Sequence, residues 1–457
     1  MPRSCLRVAL LVAAGLAGQL ALHFLAPHLA RTWSYAHLGR RPVLPLAAAA
    51  LVLALPAGGA LLAARAPLAA RAPAPSWPHV LALALALAVL LVPAGFVWAP
   101  RAICIDPWVF VQAVGEGTAR NARWHLTLWT YAHARALFAP HVGVVAFVRA
   151  TNTAVAALAL AALAAAAARL GGTRGEVALI TLLAWTAFGV AQLVPGYLDV
   201  YPVALALAAL YLWTALDALA GARHPAWPIA IAAVGPFWYE GLVLLAPSTL
   251  VVALDALRRP RGAARLAAAA GAALLVAGLA TVPGFGAPFA FGAFVRQLGA
   301  DTPWPAGLSP TSSLLPATYV ATRAHAAEVL HGLLLVDGVG VWLAVVLVPW
   351  AAARGALDAR AALLGLVVVP WLAFVVAMDP LFGPYQDWDL FAWGAAATSL
   401  LGALGLVAWG RACPRLAGAV AGLALATAGV HLLARLNALD VERGRHAAES
   451  PPHVRVP

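Results

Sequence analysis

Apolar runs long enough to cross a bilayer recur along the whole chain, and this feature most limits what the chain can fold into. A hydrocarbon core of roughly 30 Å needs about 20 apolar residues per helix. Backbone groups in lipid must satisfy their own hydrogen bonds, so each run is expected to be helical. Of the 457 residues, 63% are hydrophobic and 10% are charged. Such values are typical of a polytopic membrane protein and leave no segment for a separate soluble domain.

The predicted fold is all-α, a polytopic transmembrane helical bundle of about 12–13 membrane-spanning helices. Spans are predicted near residues 6–26, 43–64, 79–99, 143–168, 176–194, 202–219, 264–282, 331–351, 361–378, 390–409 and 416–434. The first is expected to be a retained helix and not a cleaved signal peptide. A further segment, 228–256, is expected to break at Gly235-Pro236 and to cross twice, with Glu240 at the outer tip of the break.

These spans divide the chain into six regions. They are an N-terminal three-helix segment (1–99), an outer loop with interfacial helices (100–142), central helices (143–282), an outer loop that is either a lid or a plain connector (283–330), C-terminal helices (331–434) and a polar tail (435–457).

Arginine placement predicts the orientation. At least two Arg occur in each of the loops near 65–77, 169–175, 257–265, 354–360 and 411–415, whereas those at 195–201 and 379–389 carry none. By the positive-inside tendency the first set is cytoplasmic and the second external. The net charge of +12 therefore indicates orientation and anionic lipid headgroups, with no nucleic-acid partner.

The cysteine pattern predicts no covalent framework. Cys5, Cys104 and Cys413 are far apart and odd in number. Their spacing suggests neither a disulfide framework nor a metal site.

The polar stretch 101–141, between the third and fourth spans, is where chemistry is expected. Asp106 stands near the membrane surface and is followed by Pro107. It is the candidate catalytic residue, a general base that removes a proton from an acceptor hydroxyl. The alternative is an N-cap for the helix that begins near Trp108.

The rest of this stretch supplies candidate substrate-binding residues: Glu116, Arg120, Arg123, His125, His133 and Arg135. The Arg side chains predict a phosphate or diphosphate site. The alternative is an interfacial helix whose Arg and aromatic residues lie in the headgroup layer. The two His share a helix face about 12 Å apart along the axis, too far to hold one metal ion.

Three further outer segments place aromatic rings beside carboxylates. They contribute Asp199 and Tyr201 (GYLDVYP), Glu240 (PFWYEG), and Tyr385, Asp387 and Asp389 (GPYQDWDLF) to the candidate substrate-binding set. The Asp-x-Asp pair predicts a bound divalent metal ion, which is the one candidate cofactor. The alternative is that Asp389 is the N-cap of the helix that forms the next span. Aromatic and acidic residues together suit a sugar-binding cleft and equally an aromatic belt.

Taken together, these stretches resemble the GT-C superfamily of integral-membrane glycosyltransferases, which contains protein O-mannosyltransferase-like and lipid A aminoarabinose transferase-like enzymes. Asp106 resembles the acidic residue of that family's early outer loop, GYLDVYP its next acidic outer turn, PFWYEGLVLLAPS its short broken helices, and GPYQDWDLF a late outer-loop motif. The resemblance covers roughly residues 100–410. Many members carry Asp-Glu after their first span, whereas here Asp106-Pro107 follows the third.

The resemblance implies transfer of a sugar from a polyprenyl-phosphate donor to a glycan, lipid or protein acceptor. It places the protein in a bacterial inner membrane, with the active site facing the periplasm and Asp106 activating the acceptor. The rival functions are a transporter or flippase of a lipid-linked glycan and a non-catalytic membrane scaffold. Acidic residues at span ends, together with no recognisable internal repeat, favour an interfacial enzyme over a transporter.

Overall fold

The computed structural model describes residues 3–25, 74–98, 105–116, 125–194, 196–280, 320–377 and 391–449, and the regular elements in these ranges are helices. In chain order they are α1 (Arg3–Leu25), α2 (Trp77–Trp98), α3 (Ile105–Glu116), α4 (His125–Phe138), α5 (Val144–Leu170), α6 (Arg174–Thr186), α7 (Phe188–Leu193), α8 (Tyr201–Leu219), α9 (Ala226–Trp238), a 3-10 helix (Glu240–Leu245), α10 (Ala246–Leu257), α11 (Gly262–Ala280), α12 (Arg323–Ala352), α13 (Ala359–Ala377), α14 (Ala395–Ala412) and α15 (Pro414–Glu449).

Length and composition identify seven segments of the described chain that can cross a membrane. They are Ser4–Ala21, Val144–Leu170, Tyr201–Leu219, Glu240–Leu257, Gly332–Ala352, Ala359–Ala377 and Ala395–Ala412. Four shorter apolar helices accompany them: Trp77–Pro93, Ala226–Trp238, Gly262–Leu275 and Leu416–Leu432. The protein is therefore an all-α, multi-pass membrane bundle, as predicted. The total of 12–13 crossings stays a prediction, since the span at 43–64 lies outside the described residues.

Small residues let the central helices approach closely. In α5 a run of alanines, including Ala156, Ala159 and Ala162, is fully buried. Where α14 meets α12, a Cβ at Gly402 would lie 2.5 Å from the carbonyl oxygen of Gly340. Because lipid gives helices little hydrophobic reason to associate, such close backbone packing is a main source of bundle stability.

The predicted continuous span at 176–194 is wrong. The helix ends at Ala187 (φ −54°, ψ 125°), and the short helix α7 follows. At Gly189 a Cβ would lie 2.9 Å from Val336 Cγ1 and 3.1 Å from the Ala392 carbonyl oxygen. The break thus coincides with close packing at Gly189. The apolar pattern of the sequence alone does not predict this break.

The divided segment is confirmed as broken, three residues later than predicted. Pro236 lies inside α9, and the backbone becomes extended at Tyr239 (φ −154°, ψ 117°). The Tyr239 N–H still donates to the carbonyl of Gly235 at 2.9 Å, so the helical hydrogen bonds continue past Pro236. Glu240 begins the 3-10 helix, which puts it at the break as expected.

Arginines join the helix ends at one pole of the bundle, called here the Arg-rich end. Arg360 donates to the carbonyl of Arg169 at 2.9 Å, and Arg411 pairs with Glu176 at 2.8 Å. Arg259 donates to the Leu219 carbonyl at 2.6 Å. The loops at 169–175, 257–265, 354–360 and 411–415 therefore share one end, as arginine placement predicted.

A disulfide at the Arg-rich end corrects the prediction from the cysteines. Cys5 and Cys413 are bonded, with Cα atoms 5.9 Å apart and a separation of 408 positions in sequence. Arg354 donates to the Ser4 hydroxyl at 3.0 Å beside it. Spacing along the chain did not predict the pair because the packing of the first helix against the last brings the residues together.

Candidate functional site

The opposite end of the bundle, called here the outer end, gathers several segments that the sequence predicted to meet. Helix α4 is attached to the break after α9, because the Thr127 hydroxyl donates to the carbonyl of Trp238 at 2.8 Å. Its Tyr131 packs edge-on against Phe110 of α3, with ring centroids 5.5 Å apart. The predicted interfacial helices are thus packed on the bundle through specific contacts.

Asn152 of α5 is the hub of the hydrogen bonds at the outer end. The hydroxyl of Tyr131 donates to its Oδ1 at 2.5 Å, and its Nδ2 donates to the carbonyls of Tyr197 and Asp199 at 2.5 and 2.8 Å. Burial raises the pKa of the Tyr131 phenol, so this hydroxyl remains a donor at neutral pH. Sequence reasoning missed Asn152, although an amide inside an Ala-rich span is itself a signal.

Three predicted substrate-binding residues lie around this hub. Asp199 is fully buried, and its Oδ1 accepts from the Val200 N–H at 2.6 Å. The ring of Tyr201 meets that of Tyr239, with centroids 5.6 Å apart, next to Glu240 at the break. The structure brings these residues together, and the contacts of Asp199 are those of a residue that anchors a turn.

An open cleft of about 650 Å³ lies beside this network, between α2, α3 and the start of α5. Phe96 and Val111 contribute apolar walls, and Glu116, Gln112 and Arg149 contribute the charged and amide groups. Gln112 donates to Glu116 at 2.7 Å. The cleft therefore combines apolar walls with one carboxylate and one guanidinium.

The first turn of α5 forms the remaining wall of the cleft, from Gly143 to Ala146. This helix has 27 residues, and its N-cap, Gly143, makes no side-chain capping hydrogen bond. The first N–H groups of a helix have no partner within it and carry partial positive charge. Together with Arg149 they make the cleft suitable for an anion. Arg149, which the sequence analysis did not select, is the guanidinium that lines the cleft.

Two predicted binding residues on α4 lie outside the cleft. His133 is exposed; its Nδ1 lies 2.8 Å from the Trp129 carbonyl, and its ring packs on that of Trp129. Arg135 donates to the carbonyl of Val142 at 3.3 Å, which ties the end of α4 to the turn before α5. Both residues contact their own helix or the adjacent turn.

The remaining predicted residues lie outside what the structure describes. Arg120, Arg123, Tyr385, Asp387 and Asp389 fall in undescribed segments, as does most of the loop at 283–330. For Asp106 and His125 the helical backbone is described and the side chain is not. Among the described residues there is no group of three His, Cys, Asp or Glu that could hold a metal, so the metal prediction depends on Asp387 and Asp389.

No family model, no curated protein and no solved structure matches this chain. Its function is therefore inferred from the site itself.

Proposed function

We propose that the protein transfers a sugar from a polyprenyl-phosphate donor to an acceptor hydroxyl at the outer end of the bundle. The observation that supports this proposal is the cleft that joins Arg149 and the start of α5 to the apolar walls at Phe96 and Val111. A polyprenyl phosphate has the same two parts, an anionic head and an apolar chain. With the Arg-rich end in the cytoplasm of a bacterial inner membrane, the cleft faces the periplasm.

The proposed reaction is an inverting displacement of the GT-C kind. The acceptor oxygen attacks the anomeric carbon while the bond from that carbon to the phosphate oxygen breaks. The phosphate leaves with the bonding electron pair, and Arg149 and the first N–H groups of α5 stabilise its charge. A carboxylate removes the acceptor proton.

Two carboxylates on α3 are candidates for that base. Asp106 is the residue that the sequence predicts, and Glu116 is the one that lines the cleft. They are ten residues apart, about 15 Å along a helix axis, so they cannot act on the same proton. Asp106→Asn and Glu116→Gln distinguish the two candidates. The variant that lacks the base should turn over at least about 100-fold more slowly than the wild type and should still bind the donor.

Donor binding can be measured before the sugar is known. The probe is radiolabelled undecaprenyl phosphate, bound to the purified protein in nanodiscs. Arg149→Gln should weaken binding about 10- to 100-fold, because a charge-assisted hydrogen bond contributes about 1.5–3 kcal/mol. Arg135→Gln is the matched control and should bind like the wild type. Equal binding by wild type and Arg149→Gln would remove the cleft from the proposal.

A lipid-linked glycan flippase is the second candidate. The helix breaks at Ala187 and Tyr239 favour it, since broken helices are common where transporters bind their substrates. Transbilayer movement of a fluorescent polyprenyl phosphate in proteoliposomes, without any transfer product, would select this function over the transferase.

A further inference from the structure

Helix α12 is interrupted by an acidic residue inside a membrane span, which corrects the expectation that acidic residues lie only at span ends. Asp337 lies within Gly332–Ala352, is 3% exposed and has a non-helical backbone (φ −161°, ψ 61°). Its Oδ1 accepts from the Gly340 N–H at 3.0 Å, as an N-cap for the half-helix that follows. Capping accounts for only one of the two carboxylate oxygens.

The second oxygen, Oδ2, faces two hydroxyls of α14. The hydroxyls of Thr398 and Ser399 donate to it at 2.7 and 2.8 Å. The Thr398 Oγ1 is also 3.0 Å from the carbonyl of Ala395, and a hydroxyl has one hydrogen and two lone pairs. By turning its hydrogen to that carbonyl, Thr398 can present its lone pairs beside the carboxylate.

Asp337 and Ser399 line a cavity of about 10 Å³, together with Thr186, His431 and apolar residues of the surrounding helices. This volume is about one water-sized sphere. Polar side chains from other helices hydrogen-bond to the backbone carbonyls next to the break. Gln19 donates to Gly338 at 3.0 Å, and His431 lies 3.2 Å from the Leu335 carbonyl. Asp337 and Ser399 therefore face a small cavity whose lining is otherwise mostly apolar.

Charge balance indicates what belongs in this cavity. Among the described residues, no ion pair joins Asp337 to a basic side chain. An unbalanced carboxylate in a bilayer is costly, and such residues mark ion or proton sites. We propose that one Na⁺ binds here, between the Asp337 carboxylate and the hydroxyls of Thr398 and Ser399. Carboxylate and hydroxyl oxygens are the ligands that hard cations take. A single carboxylate balances the single charge of Na⁺. Broken helices commonly hold Na⁺ in membrane transporters.

The test is a Na⁺-specific stabilisation of the purified, full-length protein. Thermal unfolding is followed by Trp fluorescence at about 100 mM NaCl, KCl or N-methylglucamine chloride, so that ionic strength is constant. Na⁺ should raise the midpoint by about 3 °C or more over the other two salts. Asp337→Asn should lose this difference, and Asp255→Asn, at a partly exposed carboxylate of the Arg-rich end, should keep it.

A second variant and a direct measurement keep the proposal testable if Asp337→Asn does not fold. Ser399→Ala should raise the Na⁺ concentration at half-maximal stabilisation at least about threefold, the loss of one ligand. Binding of ²²Na⁺ should reach about one ion per chain. Equal midpoints in the three salts, a Na⁺ response that survives Asp337→Asn, or an unchanged half-maximal concentration in Ser399→Ala would each overturn the site. Stabilisation by acid without any Na⁺ response would show that a proton neutralises Asp337 instead.

Discussion

Replacing Asp217 with Asn should destabilise the protein far more than the same change at a partly exposed acidic residue. Asp217 lies in the last turn of helix α8, and its fully buried carboxylate pairs with both Arg169 and Arg223. The Arg223 guanidinium also lies over Trp77 and Trp213, at 5.1 and 4.4 Å from the ring centroids. The substitution leaves two guanidinium groups beside each other without their shared anion.

The magnitude follows from burial. Removing one partner of a buried ion pair costs about 3–5 kcal/mol. The side chains of Arg169 and Arg223 are 16% and 14% exposed, so water can solvate them in part. We therefore expect Asp217→Asn to lower the free energy of unfolding by about 3 kcal/mol. The control is Asp255→Asn, which breaks the half-exposed i,i+4 pair with Arg259 and should cost about 0.3–0.5 kcal/mol.

The free energy of unfolding is measured by titrating the protein with SDS in mixed micelles and following Trp fluorescence. The triple variant Arg169→Met, Asp217→Leu, Arg223→Met should be more stable than Asp217→Asn, because it leaves no buried charge without a partner. If Asp217→Asn costs no more than Asp255→Asn, the three charges are solvated and the reasoning from burial is wrong.

Three other predictions use the same unfolding measurement. Gly402→Ala places a Cβ 2.5 Å from a backbone carbonyl oxygen and should destabilise the protein by about 1–3 kcal/mol. The control Gly365→Ala has nothing within 4 Å of the new Cβ and should stabilise it by up to about 1 kcal/mol. Equal effects of the two substitutions would contradict the close helix contact. Asn152→Leu removes the donors to two turn carbonyls and should cost about 2–4 kcal/mol, and a neutral result would remove it as the hub. Burial raises the pKa of Asp358, but the hydrogen bond and charge of Arg360 outweigh it and lower that pKa below its usual value. The stability from Asp358 is then present above about pH 4 and lost as the pH falls through the lowered pKa, so Asp358→Asn should show a shallower loss between about pH 5 and 2.

The sequence predicts the features of this fold that depend on local pattern. Apolar runs of bilayer length identify the helices at Val144–Leu170 and Tyr201–Leu219, and Arg-containing short loops identify the end that they share. The break near Glu240 follows from the Gly-Pro pair and from the need to return the next Arg cluster to the same side. Each of these inferences uses only residues near one another in the chain.

The features that were missed depend on contacts between distant segments. Arg149 and Asn152 both lie in the predicted span at 143–168. The hydropathy pattern of that span does not indicate that Arg149 lines a cleft or that Asn152 is a hydrogen-bond hub. Asp337 follows an unbroken apolar run, LLLV, and its role depends on hydroxyls 61 and 62 residues away. A single sequence indicates that a polar group in a span is costly, but only the packed helices identify its partners.

The bonded cysteines give an independent test of the orientation. Cys5 and Cys413 lie at the Arg-rich end, which the positive-inside tendency assigns to the cytoplasm, where thiols are kept reduced.

The side chains of Val12 and Leu16 are fully buried in the core, so packing holds the two cysteines together whether or not they are bonded. Both thiols are buried, so labelling is done after unfolding: in a Cys104→Ser background, cells dissolved in SDS with N-ethylmaleimide and without reductant should have both cysteines alkylated, and the bond should form only when the extracted protein is oxidised. Cysteines already bonded in the cell, which are labelled only after reduction in SDS, would place the Arg-rich end outside. The cleft at Arg149 would then face the cytoplasm, and the periplasmic transfer reaction proposed here would be wrong.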